Sequence, residues 1–274
     1  MRSEHGIGER EKYLNVTGIG GAHIACGKDC QDYSRIYYGK NCTVLTACDG
    51  HGGELYIRSR IGSRLSAKAF ADTIRKYSGE ALNIGSPELL NKLKLRFLCC
   101  WNKYVEKHLR CDPISDNELA ALKKEDKRIL ERMPYIAYGS TFSGAAVFSD
   151  RVIFGKIGDG GIFCRKKGAF IPYLEDYDCA ANVTSSMCGE DAYARMQFVI
   201  ENKEDIEGFF LCTDGILSPY RTYENFYDHF AVPLYEKFRQ NGKEQEIKSF
   251  VRKLGGKPGG DDVSLCIYTR IRET

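Results

Sequence analysis

The sequence predicts an α+β fold in which antiparallel β-sheets carry helices on their outer faces. Three observations lead there. Short apolar strand-like runs outnumber helical stretches along the 274 residues. Many of those runs are joined by tight turns such as Ser149-Asp150, Asp159-Gly160 and Lys167-Gly168, the connection that antiparallel neighbours use. The helical stretches come in blocks between the strand runs rather than alternating with them, as a parallel sheet would require.

Taken in order, residues 24–25 and 33–38 read as short strands around a Gly-Lys-Asp loop, and 43–48 as a firmer strand. From 54 to about 76, Ile57, Ile61, Leu65 and Ala69 recur every four residues, which predicts an amphipathic helix. Pro87 suits the first turn of a second helix reaching about residue 109, with Leu89, Leu90, Leu93, Phe97 and Trp101 as its apolar positions. Residues 112–135 are highly charged, and 116–130 read as a short exposed helix or a loop. A strand meander follows at 141–148, 151–157, 161–165 and 169–173. Residues 174–195 are polar and irregular; strands are expected at 196–200 and 208–213, and helices over about 223–239 and 245–254. The glycine-rich loop 255–260 leads into a last strand, 263–269.

Composition narrows the function classes. Hydrophobic residues make up 43% and charged residues 28%, an ordinary globular balance. A net charge of +3 is too mild to imply nucleic acid as a partner. No run of about 18 apolar residues predicts a membrane span, and the polar start Met1-Arg2-Ser3-Glu4-His5-Gly6 has no signal-like apolar core. A cytoplasmic location is the expectation. The 12 cysteines are scattered with no Cys-x-x-Cys pair, which disfavours a zinc site. Cys42, Cys48, Cys212 and Cys266 fall on apolar runs, where Cys packs as a small hydrophobe.

Four segments share one design, an apolar strand that meets an Asp-Gly or Gly-Asp step: Cys48-Asp49-Gly50, Ile157-Gly158-Asp159-Gly160, Thr213-Asp214-Gly215 and Gly259-Gly260-Asp261-Asp262. One such step is a turn. Four could gather their carboxylates at one end of a sheet sandwich, where mutual repulsion calls for cations. Carboxylates without His or Cys partners point to a hard divalent ion, Mg²⁺ or Mn²⁺. Two such ions about 4 Å apart form a hydrolytic site for phosphoesters.

Asp49-Gly50-His51-Gly52-Gly53, Gly139-Ser140-Thr141, Gly158-Asp159, Thr213-Asp214-Gly215-Ile216 and Gly260-Asp261-Asp262-Val263-Ser264 occur in that order. Together they resemble the motifs of the metal-dependent protein phosphatases, the type 2C serine/threonine family, in its compact bacterial form. The resemblance covers about residues 13–270. It implies one domain spanning residues 1–274, with a flap at about 174–195 and a four-layer αββα sandwich. It further implies removal of phosphate from phosphorylated protein substrates by a water activated by two Mg²⁺ or Mn²⁺ ions; a monomer is the expectation. Residue by residue, Asp49 would bridge two ions, the Gly50 carbonyl would ligate one, and Asp214 and Asp261 would hold the other. Asp32 would touch metal-bound water or a ligand, and Asp159 with Asp214 could hold a third ion. His51 would protonate the leaving oxygen or orient water.

Three departures stand out. The family's phosphate-clamping Arg before the first acidic pair is absent, leaving His23 or Lys28, with Asp262, as the phosphate-binding candidates. Gly158-Asp159-Gly160-Gly161 lacks the Arg that follows this Asp in the family. The flap carries Asn182-Val183-Thr184-Ser185-Ser186 in place of the common Asp-His-Lys-Pro. Two alternatives stay open: an inactive regulator that binds phosphoproteins, and a hydrolase of small phosphoesters.

Overall fold

The computed structural model describes residues 9–77, 87–175 and 184–272. Of the expected flap, residues 176–183 lie outside the described residues. The chain opens with β1 (Glu9–Gly18), α1 (Gly21–Cys26), β2 (Tyr33–Tyr38) and β3 (Thr43–Cys48). Helices α2 (Ser59–Tyr77), α3 (Pro87–Cys111), α4 (Asp116–Leu119) and α5 (Lys124–Arg132) follow. After a 3₁₀ turn at Pro134–Tyr138 come β4 (Phe142–Val147), β5 (Arg151–Ile157), β6 (Gly161–Lys166) and β7 (Ala169–Pro172). Next are α6 (Ala192–Arg195), β8 (Gln197–Asn202), β9 (Gly208–Cys212) and α7 (Asp214–Leu217). The chain closes with α8 (Tyr223–Phe226), a π-turn at Tyr227–Ala231, α9 (Val232–Arg239), α10 (Glu244–Gly255) and β10 (Val263–Arg272).

Two antiparallel five-stranded sheets result, ordered β1-β10-β9-β6-β7 and β2-β3-β4-β5-β8. The period-two alternation of the strands sorts their side chains. Leu45, Ala145, Phe154, Ile162, Phe209, Leu211 and Tyr268 fill the space between the sheets. The opposite face of the second sheet packs Phe142, Ile153 and Phe198 against Phe70 of α2 and Phe97 and Trp101 of α3. The opposite face of the first sheet packs Leu14, Phe210 and Leu265 against Leu234 and Phe238 of α9 and Ile247 and Val251 of α10. The layers are therefore αββα, as expected. No helix among the described residues is long and apolar enough to cross a membrane.

The differences from the sequence reading have local causes. Residues 24–25 lie in a helix, not a strand. Helix α1 is stopped by Gly27 at φ 65°, whose N–H closes back on the carbonyls of His23 and Ile24. Strand β1 escapes a hydropathy reading because Arg10, Glu11 and Lys12 interrupt it, yet it pairs along its whole length from Glu9↔Arg272 to Gly18↔Val263. That pairing also carries β10 beyond the expected residue 269. Helix α2 starts at Ser59 because residues before it are held in turns: Tyr56 N–H donates to Gly53 O (3.0 Å) and Arg58 N–H to Ala137 O (2.8 Å). The charged insert forms two short helices, α4 and α5, the first opened by a Ser115/Glu118 capping box.

Candidate active site

Strand ends of both sheets supply the carboxylates. Asp49 follows β3, Asp159 sits in the β5–β6 turn, and Asp214 opens α7 directly after β9. One oxygen from each lies within 4.8 Å of the others. The main chain at Asp49 is pinned twice by Thr141: Asp49 N–H donates to Thr141 Oγ1 (3.1 Å) and Thr141 N–H to Asp49 O (2.8 Å). Thr184 Oγ1 donates to Asp159 Oδ2 at 2.6 Å.

The electrostatics follow from crowding in a half-buried place. Burial, reinforced by the charges of Asp49, Asp159 and Asp261, pushes the Asp214 carboxyl up to about 8. Burial also pushes Asp49 up to about 6, with Asp159, Asp261 and Asp262 adding to it and a hydrogen bond to Asp32 opposing it. Asp32 is buried, and burial followed by the Asp49 charge holds it well above the usual carboxylate range. Its Oδ2 accepts from Thr213 Oγ1 at 2.7 Å, while its Oδ1 is buried with no hydrogen-bond partner among the described residues. Hard oxygen donors that repel one another, with a spare buried lone pair beside them, fit a divalent cation.

Beneath the carboxylates the two sheets are joined by hydroxyl groups. Thr17 Oγ1 of β1 lies 2.8 Å from Ser34 Oγ of β2 and 2.8 Å from Ser264 Oγ of β10. Asn15 Nδ2 donates to Ser34 O at 3.0 Å. Thr213 Oγ1 accepts from Ser264 N–H at 2.8 Å while donating to Asp32. Asp32 is thus held by the opposite sheet.

His51 lies at the mouth, its ring centroid 4.8 Å from that of Tyr56. Its Nε2 is buried and without a partner among the described residues, and burial lowers its basicity although the Asp159 charge opposes this. A Cβ on Gly139 would sit 2.4 Å from the Tyr56 ring and 2.8 Å from His51 Cδ2, so only glycine lets this pair close over the end of the 3₁₀ turn. A Cβ on Gly50 would meet Gln31 O and the Ser59 main chain at 2.8 Å. Glycine at 50 and at 139 is therefore required by the close approach of neighbouring atoms.

Other expected residues are placed differently. Asp261 is exposed and lies outside the three-carboxylate group, though its charge acts on Asp49 and Asp214. Its Oδ1 accepts from Asp262 N–H at 2.8 Å. Asp262, expected beside the phosphate, is instead a buried anchor: it accepts from Gly20 N–H (2.6 Å), Gln31 N–H (2.6 Å) and His23 Nδ1 (2.9 Å). Those bonds tie Asp262 to the main chain at Gly20 and Gln31 and hold His23 by its Nδ1. A carboxylate would also repel a phosphate. Lys28 is exposed on the loop after α1. Thr141, Thr184 and Thr213 are the polar residues that sequence reasoning left without a role. Thr141 and Thr213 stood inside the quoted motifs, adjacent to the signal.

A family model for protein phosphatase 2C matches residues 19–252. The chain belongs to that family, and its three gathered carboxylates form a group that could hold a metal ion. No curated protein matches it in sequence. Among solved structures it resembles the serine/threonine phosphatase Stp1 from Staphylococcus aureus, with TM-score 0.61, 15% identity, and coverage of 98% of this chain and 99% of that one. The S. agalactiae serine/threonine phosphatase gives TM-score 0.60 and 14% identity over 95% and 99% of the two chains. The catalytic domain of the serine/threonine protein phosphatase PstP in complex with two manganese ions gives TM-score 0.55 and 14% identity over 96% and 98%. At such identities these likenesses concern the fold.

Proposed function

We propose that this protein is a Mg²⁺- or Mn²⁺-dependent phosphatase of phosphoserine and phosphothreonine in proteins, acting as a single catalytic domain, as a monomer in the cytoplasm. The observation that carries this reading is the meeting of Asp49, Asp159 and Asp214 within 4.8 Å at one end of the sandwich. Asp49, Asp214 and the Gly50 carbonyl would hold two divalent ions, with Asp261 closing the set and Asp159 serving a third. Bound there, such ions supply Lewis acidity that activates water and neutralises phosphoryl charge.

The chain's own residues do the rest. In the overall reaction water oxygen bonds to phosphorus, the bond from phosphorus to the serine or threonine oxygen breaks, and a proton reaches that leaving oxygen. His51, kept neutral by burial, offers its unpartnered Nε2 to water or to the leaving oxygen. Asp32, held through Oδ2 by Thr213, has a buried Oδ1 without a partner among the described residues and would accept from metal-bound water or a ligand. Tyr56 and Gly139 fix the imidazole plane.

The test is turnover of p-nitrophenyl phosphate and phosphothreonine peptides with and without Mn²⁺, alongside Asp214→Asn. Metal-dependent hydrolysis of peptides, lost by at least about a hundredfold in the variant, is the expected outcome. Turnover without metal, or undiminished in Asp214→Asn, would overturn the assignment. A preference for small esters over every peptide would favour the small-phosphoester reading.

A further inference from the structure

Beside the carboxylates runs a groove of about 550 Å³. One wall is apolar: Leu55, Tyr56, Met133 and Ile136. Met133 is 39% exposed, a large apolar side chain turned to the groove rather than buried in a core. The other wall is the polar stretch from Thr184 to Asp191. The groove joins the candidate site at two contacts. Thr184 donates to Asp159 at 2.6 Å, and Tyr56 packs on His51 with ring centroids 4.8 Å apart. A chain whose phosphate sits at the carboxylates therefore enters the groove within its nearest residues, since an extended chain advances about 3.3 Å per residue.

The rim adds charge. Asp191 is neutralised by Arg195, Nε to Oδ2 at 3.0 Å. Glu190 lies exposed beside that pair, with no ion-pair partner among the described residues. The groove thus offers an apolar wall able to take one large side chain and one carboxylate further out.

We infer that this groove selects the substrate sequence: it takes a large apolar side chain next to the phosphorylated residue and a Lys or Arg of the same segment against Glu190. The inference rests on the phosphatase reading above and adds a sequence preference to it. Apolar contact in such a groove discriminates by about tenfold per well-placed side chain. The carboxylate disfavours an acidic residue at the outer position, since like charges brought together without a counterion repel.

The experiment uses the full chain with Mn²⁺ and a set of phosphothreonine peptides. Each of the flanking positions on either side carries Leu, Gly, Lys or Asp in turn, and p-nitrophenyl phosphate is assayed in parallel. The expected result is one flanking position where Leu exceeds Gly about tenfold in kcat/KM, and another where Lys exceeds Asp. Met133→Glu removes the first preference and Glu190→Lys inverts the second. Both side chains are exposed, and circular dichroism checks that each variant is folded. Peptides hydrolysed equally whatever their flanks, preferences unmoved by either variant, or turnover of p-nitrophenyl phosphate with no peptide cleaved would each overturn the groove assignment while leaving a phosphatase. Absence of any turnover removes the phosphatase reading and this one with it.

Discussion

Asp214 shows how a single residue carries both the chemistry and a cost. Its carboxyl is pushed from 3.8 up to about 8 by burial and three neighbouring acids. Between those values the metal-free folded chain keeps a proton that the unfolded chain has released. Folding therefore weakens as pH rises from about 4 to about 8. Thermal melts in EDTA should give a Tm that falls across this window, and Mn²⁺ should raise Tm more at pH 8 than at pH 5. Asp214→Asn should flatten the slope in EDTA; an equally steep decline in the variant would contradict the assignment. Thr213 acts one step further back. Thr213→Val removes the donor to Asp32 and the acceptor of Ser264 N–H. Loss of such a supporting contact should weaken Mn²⁺ binding by about tenfold, read by calorimetry. The sequence displayed Asp49, Asp159 and Asp214 because a carboxylate at a strand end is visible as a residue type. It did not display which of Asp261 and Asp262 turns inward. That choice is made by the Gly20 and Gln31 N–H groups, which arrive from more than two hundred residues away in the chain.

At the scale of elements, Arg58 ties the charged insert to the start of α2. Its Nε and Nη2 hold both oxygens of Glu118 at 2.7 and 2.8 Å. Its remaining donors reach the carbonyls of Asp112 (2.6 Å) and Pro113 (3.0 Å) and the Tyr138 hydroxyl (2.8 Å). Hydrogen bonding to Arg58 is the main reason the Glu118 carboxyl drops to about 2. Arg58→Ala strips partners from three carbonyl or carboxylate groups and should cost about 3 kcal/mol in urea unfolding. A loss below about 0.5 kcal/mol would mean the insert is held by other contacts. The sequence reading left this insert between helix and loop, because its many charges suggest exposure. A buried guanidinium whose partners lie at least 54 residues further along the chain has no local signature. The long helices were legible for the opposite reason: their apolar stripes are periodic, and periodicity is a local property.

For the whole molecule, the layers were legible and the depth of the packing was not. The run of tight turns announced antiparallel sheets, but which aromatic rings meet across layers depends on the register of distant strands. Phe97 of α3 is fully buried, with ring centroids 4.6 Å from Phe142, 5.7 Å from Phe70 and 6.3 Å from Phe198. Phe97→Ala should cost about 4 kcal/mol, measured by chemical unfolding. A cost near zero would mean that α3 is not fastened to the sheet through this cluster. The hydroxyl contacts between the sheets carry a different consequence. Asp49 and Asp32 arrive on one sheet and Asp214 on the other, while Thr17, Ser34, Ser264 and Thr213 fasten the sheets to each other just below. The layer spacing and the ligand spacing are then one dimension, as the jaws of a caliper are set by its pivot. The domain's interior works as a gauge block: anything that spreads the two sheets opens the carboxylate set by a matching amount, with no metal ligand itself altered.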